Sequence, residues 1–189
     1  ALAQRHDAIN LSQGFPDFDG PPELLQRVQH YLTNGFNQYP PMAGVVPLRQ
    51  AIAEKVADLY GLQCSVDDEI TVTAGATEAL FCAIAAMVHQ GDEVIVFDPC
   101  YDSYDPVIRL QGGVPVHVPL VAPNYGVDWD RVADAITDNT RLIIINTPHN
   151  PTGSVWDAAD IEALRQLIAD KDIYLLGDEV YEHLSLIHI

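Results

Sequence analysis

The chain has 189 residues, 48% of them hydrophobic and 19% charged, which excludes a disordered segment and leaves room for one sizeable core and part of a second domain. Its 27 acidic and 9 basic residues give a net charge of −18, which excludes a nucleic-acid partner, because phosphate binding needs a basic face. No apolar run reaches membrane-spanning length, no secretory pattern opens the chain, and three cysteines without a CxxC pair argue against a disulfide framework, so a cytoplasmic setting with no membrane partner is expected.

Residues 1–22 show no strong periodicity, and Leu11 to Phe18 reads as a loop with a hinge at Gly14. A helix is expected from Pro22, with Leu24, Leu25, Val28, Tyr31 and Leu32 on one face, ended by Asn34-Gly35. After a loop from Asn37 to Pro47, a second helix carries an expected buried stripe of Leu48, Ala51, Ile52, Val56, Leu59 and Tyr60, and Gly61 closes it. From Ile70 onward the pattern becomes strand–helix alternation. Strands are predicted at Ile70–Ala74, Val94–Phe97, Val114–Val118, Leu142–Ile145 and Ile173–Leu176. Helices are predicted at Thr77–His89, Tyr101–Leu110, Trp129–Ile136 behind an Asp128 cap, and Asp157–Ala169 with Ile161, Leu164, Leu167 and Ile168 inside. Such alternation implies an α/β fold, a three-layer αβα arrangement around a mostly parallel sheet.

Unusual residues sit at the strand ends. Asn146-Thr147-Pro148-His149-Asn150-Pro151-Thr152-Gly153 follows a buried apolar run, and its prolines forbid any continuation of the ladder. The chain must turn there, at the carboxyl end of a central strand, where open α/β sheets bind ligands. Asn150 then faces a crevice, and its bond to Pro151 is predicted to be cis; the plainer alternative is a turn built from turn-forming residues. Gly75-Ala76-Thr77 opens a helix, where free N–H groups and the dipole favour an anion. Tyr101 lies beside that turn, either as a core aromatic or as a ring that lies flat against another ring. Asp178 ends a strand and needs a cationic or hydrogen-bonding partner, which a protonated pyridine nitrogen would satisfy. A phosphate cradle, an aromatic face, an amide and a carboxylate together answer the needs of pyridoxal phosphate.

With those residues in place, the chain resembles a class I/II aminotransferase, a fold type I pyridoxal phosphate enzyme. The resemblance is carried by the segments at 11–18, 37–39, 74–79, 98–104, 149–153 and 178–181, in the family's order over nearly the whole chain. Their wording resembles that of the methionine and kynurenine aminotransferases. The resemblance implies that Gly75, Ala76 and Thr77 hold the phosphate and Tyr101 stacks on the ring. It implies that Asn150 and Tyr181 bond the 3-oxygen and Asp178 pairs with the ring nitrogen. It places Gly14 and Asn150 by the substrate, and has Tyr39 reach the phosphate of the partner subunit in a homodimer. It implies transamination between an amino acid of the methionine, kynurenine or aromatic kind and a 2-oxo acid, within amino acid metabolism and biosynthesis.

Residues 1–36 are then an arm with part of a small domain, and 37–189 the incomplete large cofactor domain. The family's Ser-x-x-Lys motif with the Schiff-base lysine does not occur before Ile189; the lysines present, Lys55 and Lys171, match no family motif. The chain alone is therefore expected to be inactive, with no catalytic residue of its own. A carbon–sulfur lyase of the same fold and a non-catalytic fragment are the competing readings. A nucleotide-binding α/β domain is remote, since Gly75 stands without the rest of a G-x-G-x-x-G. No metal is expected, because the acidic and histidine residues near 178–183 lack HExxH spacing.

Overall fold

The computed structural model describes residues 2–10 and 18–183. The chain falls into two compact units, Ala1–Ile70 and Thr71–Ile189.

The first unit holds α1 (Leu2–Arg5), α2 (Pro22–Thr33) and α3 (Val46–Tyr60). Proline sits in the first turn of α2 and of α3, where its missing N–H costs nothing. Gly61 ends α3 in the left-handed conformation, its N–H returning 2.9 Å to the Ala57 carbonyl. The expected burial is not realised. Leu24, Leu25, Val28, Tyr31 and Leu32 of α2 are exposed, as are Leu48, Leu59 and Tyr60 of α3. An amphipathic period states which face can be buried, not what meets it, and among the described residues of this unit no second apolar layer does. The buried residue of α3 is Arg49, whose guanidinium donates to the Gly44 carbonyl at 3.2 Å and to the Val66 carbonyl, and pairs with Asp67 at 3.3 Å.

The second unit is a parallel sheet with helices on both faces. Its elements are α4 (Gly75–Met87), β1 (Glu93–Asp98), α5 (Tyr104–Leu110), β2 (Val114–Pro119), α6 (Trp129–Ala135), β3 (Thr140–Asn146), α7 (Ala158–Ile168) and β4 (Tyr174–Asp178). Strand order is β2-β1-β3-β4, every pair parallel. Alternation along the strands sends side chains to opposite faces. Val94, Val96, Leu142, Ile144 and Leu176 pack with Leu80, Ile84 and Val88 of the α4 segment and Ile108 of α5. Ile95, Phe97 and Ile143 pack on the other face with Val132 of α6 and Leu164 of α7. Asp128 caps α6 and Asp157 caps α7, the latter with Asp160 in a reciprocal box.

Three expectations change here. Ile70–Ala74 is not a strand: a strand exists only as a ladder, and among the described residues none runs beside it. The Gly75 N–H instead closes a tight turn on the Thr73 carbonyl at 2.8 Å, and Ala74, at φ −75 and ψ 71, has inverse γ-turn dihedrals. The helix predicted from Tyr101 begins at Tyr104, because Tyr101 to Ser103 form a turn whose carbonyl at Tyr101 accepts the Tyr104 N–H at 3.2 Å. Ile161 of α7 is exposed, as it lies off the face that meets the sheet.

Candidate functional site

The strand ends gather the polar chemistry. Asn146 closes β3 and Asp178 closes β4, and the two are register partners. Both are buried. The Asn146 amide donates 2.7 Å to the Asp178 carbonyl, while its Oδ1 accepts the Asn150 N–H at 2.7 Å. One buried side chain therefore sets the spacing between the β4 end and the loop carrying Asn150. That loop is further pinned by His149, whose N–H donates to the Ser154 carbonyl at 2.9 Å and whose Nδ1 lies 2.7 Å from Thr152 Oγ1. Burial holds the His149 imidazole below its usual titration range. The Asn150–Pro151 bond is cis, as are those of Asp98–Pro99 and Thr147–Pro148.

A cavity of about 170 Å³ opens at these ends, lined by Ala76, Thr77, Leu80, Tyr101, Asn150, Asp178, Val180 and Tyr181. Its floor is the start of α4, where Ala74 offers no side-chain cap to the first-turn N–H groups. Gly75 begins that helix at φ +81, a conformation that favours glycine. The Asn150 amide donates to the Tyr181 hydroxyl at 3.3 Å. The Asp178 carboxylate accepts the Tyr104 phenol at 2.6 Å through Oδ2 and the Val180 N–H at 3.4 Å through Oδ1. Ionised carboxylates offer about four lone-pair positions, so acceptor capacity remains.

Of the residues singled out in the sequence, Ala76, Thr77, Tyr101, Asn150, Asp178 and Tyr181 line this one cavity, and Gly75 is the turn behind it. Tyr39 belongs to the other unit and is fully exposed. Gly14 lies outside the described residues, as does the segment from 184 to 189. Tyr104 and Asn146 were present in the quoted segments without a role. Their signal is a buried polar atom at a strand end or helix start, which demands a partner but does not name it.

A larger cavity of about 710 Å³ lies at the opposite end of the sheet, where Asn139, Thr140, Lys171, Asp172 and Ile173 mark the amino ends of β3 and β4. Charged side chains line the larger cavity too, among them Asp92, Arg141 and Lys171, but the residues singled out in the sequence line the smaller one. Beside Tyr101, the ligand-type atoms of Asp98, Cys100 and His117 lie within 4.8 Å of one another. His117 spends both ring nitrogens on carboxylates, 3.0 Å from Asp98 and 3.2 Å from Asp105, so the group is an ion-pair clamp. Burial and Asp98 push the Cys100 thiol up to about 11, and it stays protonated at neutral pH. No helix among the described residues is long and apolar enough to cross a membrane.

Residues 6–187 match the family model described as aminotransferase class I and II. The chain is 57% identical over 185 residues to the methionine aminotransferase of Escherichia coli, covering 98% of this chain and 48% of that protein. It is 45% identical over 190 residues to a probable N-succinyldiaminopimelate aminotransferase of Mycobacterium tuberculosis, and 35% identical over 194 residues to human kynurenine–oxoglutarate transaminase 1. A solved Escherichia coli structure, for which a methionine aminotransferase function was identified, superposes with a TM-score of 0.93 over 96% of this chain and 48% of that one. The chain spans about half the length of the curated relatives it matches.

Proposed function

The chain belongs to the class I and II aminotransferase family, whose members depend on pyridoxal phosphate, and we propose that it forms the cofactor cradle of an enzyme moving an amino group between an amino acid and a 2-oxo acid. The observation that carries this is the convergence of Ala76, Thr77, Tyr101, Asn150, Asp178 and Tyr181 on one cavity at the carboxyl ends of a parallel sheet. The donor set suits the cofactor group by group. The start of α4 and the Thr77 hydroxyl take the phosphate, a doubly charged anion that suits a helix N-terminus. Tyr101 lies against the ring. Asn150 and Tyr181, already bonded to each other, hold the 3-oxygen. Asp178 accepts the proton-bearing ring nitrogen. When bound, the pyridoxal group supplies an electron sink for charge left at the substrate's α-carbon.

Gly14, by the substrate carboxylate, and Asn150 are the proposed substrate contacts, and Tyr39 serves the phosphate of a second subunit in a homodimer. Residues 1–36 form an arm with part of a small domain, and residues 37–189 the cofactor domain. A methionine, kynurenine or aromatic amino acid is the substrate, and the setting is cytoplasmic. The test takes this chain completed to the length of its relatives, with pyridoxal phosphate, methionine or kynurenine, and a 2-oxo acid. Formation of the new amino acid, lost in Asp178→Ala, is expected. Turnover that needs no 2-oxo acid, or an Asp178→Ala protein with near-normal turnover, would overturn the proposal.

A further inference from the structure

The inference rests on the cofactor reading above and concerns a residue to which that reading gives no role. We propose that Tyr104 is the positioning residue for Asp178: its phenol hydrogen bond turns the carboxylate so that the remaining lone pairs face the cavity and the ring nitrogen of the cofactor.

Asp178 is the last residue of β4, and its pairing with Asn146 sets the face its side chain takes but not the rotation of its carboxylate. Its carboxylate has two bonds. The Val180 N–H at 3.4 Å is long and weak, whereas the Tyr104 hydroxyl at 2.6 Å is in the range of a charge-assisted O–H···O bond. The orientation is therefore held from the Tyr104 side. Tyr104 is itself fixed. It is the first residue of α5 and 3% exposed, packed in the cluster that includes Val94, Ile108 and Leu142. A carboxylate at the rim of the cavity is thus tied to the rigid core by a residue 74 positions away in sequence.

The same ring meets Tyr101 edge-on, with centroids 5.7 Å apart at 80°. Tyr104 so backs the aromatic face of the cavity and orients its carboxylate at once. Core packing alone asks only for the ring, which phenylalanine would supply; a buried hydroxyl is tolerated because Asp178 accepts it. Burial, together with that bond, raises the phenol well above its ordinary titration range, so it remains a donor at neutral pH.

The test binds pyridoxal phosphate, labelled with nitrogen-15 in its ring, to the full chain and to its Tyr104→Phe variant. Nuclear magnetic resonance then follows the ring nitrogen against pH. Affinities within about threefold are expected, with the deprotonation midpoint of the nitrogen lowered by about one pH unit in the variant, a tenfold weaker hold on its proton. A merely structural tyrosine would not move that signal, so an unchanged midpoint in a variant that binds the cofactor overturns the proposal. An Asp178→Asn variant with an unchanged nitrogen signal would overturn the cofactor reading instead.

Discussion

His117 Nδ1 lies 3.0 Å from Asp98 Oδ1, so the edge strand β2 is tied to the strand end from which Pro99, Cys100 and Tyr101 depart. Its Nε2 reaches Asp105 at 3.2 Å, and Asp105 in turn accepts Arg109 at 2.7 Å. One imidazolium thus holds both flanks of the turn that presents Tyr101 to the cavity.

That clamp has a pH signature. His117 titrates above its ordinary value, chiefly because Asp98 accepts its hydrogen bond. Its stabilisation is therefore complete below about pH 6.5, the ordinary histidine value, and is lost as pH rises through the higher folded value. Buried His149 is shifted the other way by desolvation. Its neutral form fits the fold, so its contribution is complete above about pH 6.5 and is lost as pH falls toward the lower folded value. The stability gap between wild type and His117→Gln should be widest below about pH 6.5 and shrink as pH rises through the higher folded value, read from urea midpoints. A gap independent of pH would contradict the clamp.

Asn146→Ala should cost about 2–3 kcal/mol, because the Asp178 carbonyl and the Asn150 N–H each lose a buried partner. On the proposed cofactor reading the variant should also bind pyridoxal phosphate more weakly, since Asp178 and the loop carrying Asn150, which line the cavity, are no longer held at a set spacing. Chemical denaturation and absorbance titration check the two halves separately.

At Gly113 the constraint is space. A Cβ there would stand 2.6 Å from Val88 Cγ1 and 3.1 Å from Ile108 Cγ2. Gly113→Ala should therefore destabilise by about 1–3 kcal/mol through overpacking. Gly20, with nothing within 4 Å of its added Cβ, is the control, and Gly20→Ala should stay within about 0.5 kcal/mol of wild type. Equal thermal midpoints for the two variants would show that the sheet–helix contact yields more easily than its geometry implies.

The 189-residue chain assayed by itself should not transaminate. Its lysines are Lys55, within α3, and Lys171, at the amino end of β4. The cavity is at the carboxyl ends, so Lys171 is a strand's length away, roughly 17–20 Å. After addition of pyridoxal phosphate and borohydride, mass spectrometry should find no stoichiometrically labelled lysine. Full labelling of one lysine, with conversion of methionine or kynurenine, would defeat this expectation.

Much of the second unit was legible in the residue order. The Leu142–Ile145 run, the stripe of Leu80, Ile84 and Val88, and the Asp128 and Asp157 caps are local signals, each set by neighbours within a turn or a strand. Thr77, Tyr101, Asn150 and Asp178 of the cavity were legible too, because each sits close to where a strand ends or a helix begins, whereas Tyr181 was reached only through the family resemblance. Tertiary structure alone decided what depends on a distant partner. The strand order β2-β1-β3-β4, the absence of a ladder at Ile70–Ala74 and the exposure of the α2 stripe all turn on which surface arrives from elsewhere in the chain. So does the bond from Tyr104 to Asp178. Periodicity and propensity describe one element at a time, whereas burial and hydrogen-bond pairing are properties of two.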